Sequence, residues 1–173
     1  MMLSMSGPEF REAMSRLGAA VNVITSAGSA GRVGFTATAV CSVSDQPPTL
    51  LVCMNRSSSL HAVLQSNGVL CVNTLADAQR HLSPVFAGLT GVWGEDRFKA
   101  ASWCELTTGA PVLDDALVSF DCTIDRAIEV GTHSVFFCSV VDVTTKIDGN
   151  PLLYFGRQYC STRQLEAAAT NPK

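Results

Sequence analysis

The chain has 173 residues and a formal net charge of −3, with a sequence pI of about 5.5. This balance excludes the basic footprint of proteins that bind nucleic acids or anionic membranes. Hydrophobic residues make up 47% of the chain and charged residues 16%, which predicts one well-cored domain. No apolar run approaches the roughly 20 residues that span a bilayer, and the N-terminus lacks the pattern of a signal peptide. We therefore expect a cytoplasmic protein.

Seven cysteines and three histidines are present, but their spacing predicts neither a disulfide framework nor a metal site. No two cysteines form a C-x-x-C pair, and the histidines are scattered along the chain. We expect reduced thiols, mostly buried, because five of them lie in apolar, strand-like runs: Cys41, Cys53, Cys71, Cys122 and Cys138.

The first predicted element is a helix that begins after Ser6. Ser6 and Glu9 have the spacing of a capping box. An apolar stripe would then line one face before a glycine ends the helix: Phe10, Met14, Leu17 and Gly18. The strands predicted next are 19–26, 34–44 and 49–54, with a glycine-rich turn at 28–31 and a proline corner at 44–48.

A short helix is predicted after "NRSSS", with an apolar stripe that ends at Asn67-Gly68: Leu60, Val63 and Leu64. Further predicted elements are a strand at 69–75, a helical region at 77–86 that bends or ends near Pro84, and β runs at 116–130, 134–147 and 152–159. Residues 88–114 show no clear pattern. Strands joined by short turns are typical of an antiparallel barrel, so we predict a mainly β fold with a few flanking helices, in one domain over 1–173.

The glycines of "GSAGRVG" (28–34) do not form a phosphate loop. Their spacing is G-x-x-G-x-x-G, and they join two predicted strands instead of opening a helix. A hairpin turn is the better interpretation. The chain offers no convincing nucleophile, so an enzymatic role would need a cofactor to carry the chemistry.

Apolar and polar side chains alternate along the predicted strand "GFTATAVCSVS" (34–44), and none of them is charged. Successive side chains of a strand point to opposite faces, which gives it one apolar face and one face rich in hydroxyl groups: Thr36, Thr38, Ser42 and Ser44. Hydroxyl groups form hydrogen bonds without the desolvation cost of a charge. The face could line the site of a planar polar ligand, or it could pack against a neighbouring strand or subunit.

Three other segments carry candidate binding residues. "NRSSS" (55–59) joins a strand to a helix, and its serines with Arg56 would suit either a phosphate or ordinary helix capping. Asn73 lies in an apolar strand and needs a partner, from a ligand or from the backbone. His133 follows a glycine at the start of a strand. "YFGRQY" (154–159) could clasp an anionic aromatic ligand or form a salt bridge at the edge of the barrel.

Six segments, in this order, make the sequence resemble the flavin reductase family of FMN-binding split barrels: "GFTATAVCSVSDQPPTLLVCMNRSSS", "LCVNTL", "EDRF", "GAPVL", "GTH" and "YFGRQY". The resemblance runs from about Phe10 to Tyr159. It is strongest to the branch that contains the reductase of 4-hydroxyphenylacetate 3-monooxygenase, the pyrimidine-utilisation flavin reductase and a corrinoid reductase.

This resemblance implies an antiparallel split barrel and a homodimer, with FMN (or FAD) near the subunit interface and NADH stacked on the flavin. The activity implied is an NAD(P)H:flavin oxidoreductase that supplies reduced flavin to a partner monooxygenase. Two alternatives remain open. One is a reductase that retains FMN and reduces a bound acceptor such as a Co(II) corrinoid, and the other is a non-enzymatic flavin-binding protein.

The resemblance also implies site residues. The edge of the flavin ring would meet hydroxyl groups and backbone of the strand at 34–44: Thr36, Ala37, Thr38, Ala39, Ser42, Val43 and Ser44. Asn55, Ser58 and Ser59 would hold the phosphate, with Arg56 or Arg97 as its charge partner.

Four further residues complete the implied site. His133 would orient the nicotinamide cofactor and Asn73 would lie near the flavin, while Arg157 and Tyr159 would close over both cofactors. Thr132 stands where the family motif Gly-Asp-His has its acid, so only the histidine role is implied here. No residue is expected to act as a general acid or base, because hydride transfer requires mainly the positioning of two rings.

Overall fold

Antiparallel strands make up most of the protein in a computed structural model, which describes residues 5–162. The helices are α1 (Gly7–Met14), α2 (His61–Asn67) and α3 (Leu82–Phe86), with 3₁₀ turns at Asp77–Gln79 and Gly94–Ala100. The strands are β1 (Ala19–Ala20), β2 (Asn22–Ser26), β3 (Val33–Ala37), β4 (Val40–Asp45), β5 (Pro48–Asn55), β6 (Val69–Thr74), β7 (Trp103–Glu105), β8 (Pro111–Leu113), β9 (Val118–Val130), β10 (His133–Thr145), β11 (Leu152–Phe155) and β12 (Gln158–Ser161).

Seven of these strands form one antiparallel sheet in the order β3-β2-β6-β9-β10-β5-β4. The long hairpin of β9 and β10 lies at its centre and turns at Gly131, whose φ of 56° suits glycine. A second sheet has the order β1-β11-β12, and β7 pairs with β8. The predicted antiparallel barrel is confirmed.

The sheet closes on itself because β3 and β4 occupy its two opposite edges and are consecutive in the chain. Only Thr38 and Ala39 separate them. Three residue steps span at most about 11 Å, so the two edges must approach each other at this link. The Cys53 amide also donates to the Ala39 carbonyl (3.0 Å), which holds the link against β5.

Apolar side chains pack on both faces of the rolled sheet. The barrel interior contains Ile24, Val52, Leu70 and Phe136, closed by Leu64 of α2. The outer cluster contains Val23, Phe86 and Leu113, and it joins the sheet to α3, β8 and β11. Neighbours on β2 point opposite ways, as strand geometry requires: Val23 lies outside the barrel and Ile24 inside.

The strand predicted at 34–44 is wrong as a single element. The chain forms β3, leaves the sheet at Thr38-Ala39 and enters the opposite edge as β4. Barrel closure, which is a tertiary effect, causes this break. The predicted runs at 19–26 and 152–159 are also divided, the second into a hairpin that turns at Gly156-Arg157.

The first helix has the predicted capping box, but it ends at Met14, before Gly18. Its apolar stripe is largely exposed, and α1 buries no side chain. Pro84 neither bends nor ends a helix as predicted. It lies in the first turn of α3, where its missing N–H is tolerated.

The seven cysteines are free, and Cys71, Cys122 and Cys138 are buried as predicted. Burial raises the pKa of all three thiols, that of Cys138 to about 12, so they are protonated at neutral pH. Cys41 contradicts the prediction because it is exposed on β4. Among residues 5–162, no helix has the length and apolarity needed to cross a membrane.

Candidate functional site

A groove of about 560 Å³ lies between β3, the turn that follows β5, and the segment from α3 to the second 3₁₀ turn. We call it the hydroxyl–arginine groove, after the polar side chains that line it: Arg32, Thr36, Ser58, Ser59 and Arg97. Its apolar lining includes Phe35, Leu60, Phe86 and Trp93. No carboxylate lines this groove, so it is suited to an anion.

Arg97 is the buried cation of this groove, with only 7% of its surface exposed. Its Nε donates to the Val92 carbonyl (3.1 Å) and one terminal nitrogen donates to the Gly34 carbonyl (3.4 Å). None of the ion pairs formed within residues 5–162 includes Arg97. A buried charge without a counter-ion is costly, so an anionic ligand would stabilise this arrangement.

Arg32 is a second cation of the groove, and it forms no ion pair within residues 5–162. Its guanidinium lies over the Phe98 ring at 4.0 Å from the centroid. Its Nε is buried and has no hydrogen-bond partner in the described part of the chain. Buried polar atoms normally have a partner, so this nitrogen also fits a site completed by a ligand.

Thr36 is held in the groove wall by a chain of hydrogen bonds. Its hydroxyl donates to the Ser83 carbonyl (2.7 Å), and the Ser83 hydroxyl pairs with the Tyr159 hydroxyl (2.8 Å). Thr36 Oγ1 can still accept a hydrogen bond. Ser58 Oγ accepts from the Leu60 amide (3.3 Å), and the groove is also lined by Ser59.

The "NRSSS" segment forms a turn between β5 and α2, so its serines precede the helix instead of forming its first turn. Asn55 Oδ1 accepts from the Ser57 amide (2.9 Å) and hydroxyl (3.0 Å). Arg56 forms an ion pair with Glu129 at 3.0 Å. Of the two arginines expected to hold the phosphate, Arg56 therefore has a carboxylate partner, and Arg97 has none within residues 5–162.

His133 lies beside this turn. It faces Asn55 across the β5–β10 ladder, and the Arg56 amide donates to the Thr132 carbonyl (2.9 Å). His133 Nδ1 lies 2.8 Å from the Thr132 hydroxyl, which fixes the orientation of the exposed ring. The structure thus brings His133 close to the phosphate-binding candidates of the turn.

Protein groups form hydrogen bonds with both side-chain atoms of Asn73, for which the resemblance implies a place near the flavin. Its amide nitrogen donates to the Val23 carbonyl (3.0 Å) and the Thr25 hydroxyl (3.1 Å). Its Oδ1 accepts from the Leu113 amide (2.8 Å) and the Ser119 hydroxyl (2.9 Å). Asn73 is fully buried and joins β2, β8 and β9, so it is a structural residue.

Arg157 and Tyr159, which the resemblance places over both cofactors, are not among the residues that line the hydroxyl–arginine groove. Arg157 lies in the β11–β12 turn and pairs with Glu12 of α1 at 3.1 Å. The Tyr159 ring packs against Tyr154 in the outer cluster. Tyr159 reaches the groove only through Ser83 and Thr36.

The predicted hydroxyl face is divided between two grooves because the chain changes sheet edge at Thr38-Ala39. Ser42 and Ser44 line a different, mostly apolar groove of about 670 Å³ with Leu50, Phe120 and Val140. We call it the apolar groove. Ala37 precedes the link, and Val43 lies farther along β4 and is exposed.

Sequence reasoning missed Arg32 and Trp93, which lie in loops without a recognisable motif. It also missed Gly34, where a side chain would lie 2.7 Å from the Phe86 ring. The glycine pattern at 28–34 was a usable signal for close packing there. Within residues 5–162, no group of three or more His, Cys, Asp or Glu side chains is arranged to hold a metal ion.

The antiparallel barrel, whose sheet closes through the link between β3 and β4, defines the class of split-barrel proteins. The hydroxyl–arginine groove is suited to a phosphorylated ligand. Residues 14–163 match the family model described as "Flavin reductase like domain". The chain belongs to the flavin reductase family.

Known proteins similar to this chain share most of its length. A Stutzerimonas stutzeri protein named "FMN reductase (NADH) RutF" is 56% identical over 151 residues, 87% of this chain and 86% of that protein. The flavin reductase PheA2 superposes with a TM-score of 0.82 at 30% identity, covering 91% and 98% of the two chains. BorF, the flavin reductase component of a bacterial two-component tryptophan halogenase, gives 0.83 at 28% identity and covers 90% and 98%.

Proposed function

We propose that the protein reduces FMN with NADH and releases reduced flavin to a partner monooxygenase. The single observation that carries this proposal is Arg97, a buried guanidinium without a carboxylate partner in a groove lined by hydroxyl groups. The family, and the names of similar proteins, support FMN and NADH as the two substrates.

The residues present fit the phosphate of FMN. Arg97 and Arg32 supply the positive charge, and Ser58 and Ser59 supply short hydroxyl donors on the same groove. A phosphate monoester carries nearly two negative charges at neutral pH, which two guanidinium groups can match.

Bound FMN supplies the chemistry, because its ring accepts a hydride from NADH. The protein has to hold the ring, exclude water and favour the negative charge that develops on it. Thr36 Oγ1 is fixed by Ser83, and the backbone of Ala37, Thr38 and Ala39 leaves the sheet at the same point. The absence of carboxylates from the groove avoids repulsion of the reduced flavin.

His133 is the candidate for orienting the nicotinamide cofactor. It is exposed and held by Thr132, at the end of β10 beside Asn55. A neutral partner such as the Thr132 hydroxyl orients the imidazole without adding charge. We assign His133 no proton transfer.

An anaerobic mixture of protein, FMN and NADH tests the function directly. We expect NADH to bleach the flavin absorbance at a rate that depends on the protein, and we expect flavin to separate from the protein on gel filtration. Riboflavin, which lacks the phosphate, should bind much more weakly. Failure to bleach would favour a non-enzymatic flavin-binding protein, and flavin that stays bound would favour a retained cofactor.

We also propose a homodimer, located in the cytoplasm. The apolar groove is lined by two exposed valines of β10, Val141 and Val143, and a second copy would cover them. The exposed stripe of α1 offers further apolar surface. The family resemblance supports the same assembly.

Charges placed on β10 should therefore separate the subunits. We expect a protein with Val141→Glu and Val143→Glu to sediment as an 18.3 kDa monomer, and the unmodified protein at twice that mass. In a twofold interface each new carboxylate would be buried or meet its symmetry mate. Ile147→Glu is the control, because Ile147 is fully exposed and lines neither groove. A double variant that remains dimeric would place the interface elsewhere.

A further inference from the structure

Trp93 is an exposed aromatic side chain at the rim of the hydroxyl–arginine groove. Its side chain is 68% exposed although it lines the groove. It lies in the uncharged segment 87–94, where Gly88, Gly91 and Gly94 all have positive φ angles (77°, 73° and 57°). Trp93 is the N-cap of the second 3₁₀ turn, and the residues before it belong to no helix or strand.

Arg97 connects this rim to the floor of the groove. Its Nε donates to the carbonyl of Val92, the residue before Trp93, and its guanidinium lies 5.5 Å from the centre of the indole. Arg97 itself is buried against the Gly34 carbonyl. The cation therefore lies on the floor, with the indole directly outside it.

Because Arg97 is buried and Trp93 is exposed, the groove offers separate places for the two substrates of the proposed reaction. A flavin whose phosphate is held by Arg97 fills the inner part of the groove, so NADH has to approach from the solvent side. NADH carries a second planar ring, adenine, joined to nicotinamide through a diphosphate. Indole faces stack well on nucleobases, and the nearby guanidinium favours the diphosphate.

We propose that Trp93 is the adenine-stacking residue of this protein and determines its preference for a dinucleotide hydride donor. The proposal rests on the proposed function for the identity of the donor. The adjacent glycines let the indole adjust to the adenine, and the Arg97–Val92 hydrogen bond keeps it beside the phosphate-binding site.

Steady-state kinetics with two donors test this role. Trp93→Ala should raise the KM for NADH roughly tenfold, equivalent to about 1.4 kcal/mol. It should change the KM for reduced nicotinamide mononucleotide, which lacks the adenosine, and the Kd for FMN by a clearly smaller factor than the KM for NADH. Trp93→Phe keeps an aromatic face and should recover most of the NADH affinity. Leu89→Ala is the matched control, because Leu89 is 76% exposed on the same segment and does not line the groove.

A binding experiment tests the stacking without hydride transfer. In a Trp103→Phe protein, Trp93 is the remaining tryptophan, and ADP-ribose should protect its fluorescence from acrylamide quenching, whereas ribose 5-phosphate should not. In a Trp93→Phe protein the fluorescence comes from Trp103, and ADP-ribose should not protect it from quenching. Loss of this protection, or a Trp93→Ala effect on FMN or on the mononucleotide as large as that on NADH, overturns the proposal. Failure of the unmodified protein to reduce flavin would instead contradict the proposed function.

Discussion

An Arg97→Gln protein is expected to bind FMN ten- to hundredfold more weakly than the unmodified protein, a loss of about 1.5–3 kcal/mol. Glutamine retains a donor for the Val92 or Gly34 carbonyl but removes the positive charge from the groove floor. Riboflavin has no phosphate, so its affinity should be almost unchanged. The measurement is flavin titration followed by fluorescence, with both ligands and both proteins.

Arg56→Gln is the matched control for this prediction. Arg56 belongs to the segment that sequence reasoning favoured, but in the structure it pairs with Glu129 on the protein surface. We expect its FMN affinity to remain within twofold of the unmodified value. The FMN affinity of an Arg97→Lys protein should lie between those of the Arg97→Gln and unmodified proteins, because lysine keeps the positive charge but lacks the planar guanidinium group. Weaker FMN binding by the Arg56 variant alone would place the phosphate at the strand end.

An Asn73→Ala protein is expected to lose about 3–5 kcal/mol of its free energy of unfolding. Two donors, the Leu113 amide and the Ser119 hydroxyl, would lose their buried acceptor, and each such loss costs about 1–3 kcal/mol. The amide of Asn73 also supports Thr25. Urea unfolding, followed by far-UV circular dichroism, measures the change.

Flavin binding distinguishes this structural role from the flavin-facing role that the resemblance implied. In conditions where the Asn73 variant is folded, its Kd for FMN should match that of the unmodified protein. Asn55→Ala serves as the control, because Asn55 makes comparable hydrogen bonds in an exposed turn and should cost less than about 1 kcal/mol. An Asn73 variant of normal stability with weakened FMN binding would refute the assignment.

Local signals in the sequence predicted local structure well. The second helix ends at Gly68, whose left-handed backbone is the expected C-cap, and the glycine-rich segment at 28–31 turns between two strands. The capping box of α1 is likewise present. Each signal involves residues within a few positions of one another.

Tertiary effects explain what the local patterns in the sequence could not predict. Polar and apolar side chains do alternate within each half of 34–44. Closure of the barrel divides the segment at Thr38-Ala39, and no local sequence pattern predicts closure. Arg56 stands beside three serines in the sequence, whereas Arg97 reaches two of those serines only through the fold. The hydrogen-bond partners of the Asn73 side chain could come from the protein or from a ligand. The sequence does not show that Thr25, Leu113 and Ser119 lie close enough to be those partners.

The short link between β3 and β4 also has a thermodynamic consequence. Thr36 contributes to the hydroxyl–arginine groove, and Ser42 to the apolar groove where we place the second subunit. Because only two residues join β3 to β4, the two strands cannot move far independently of each other. Displacement of β4 on subunit association would therefore be transmitted to Thr36. Flavin affinity and subunit affinity would then share one coupling free energy. By reciprocity, flavin would tighten the dimer by the same factor as dimerisation tightens flavin binding.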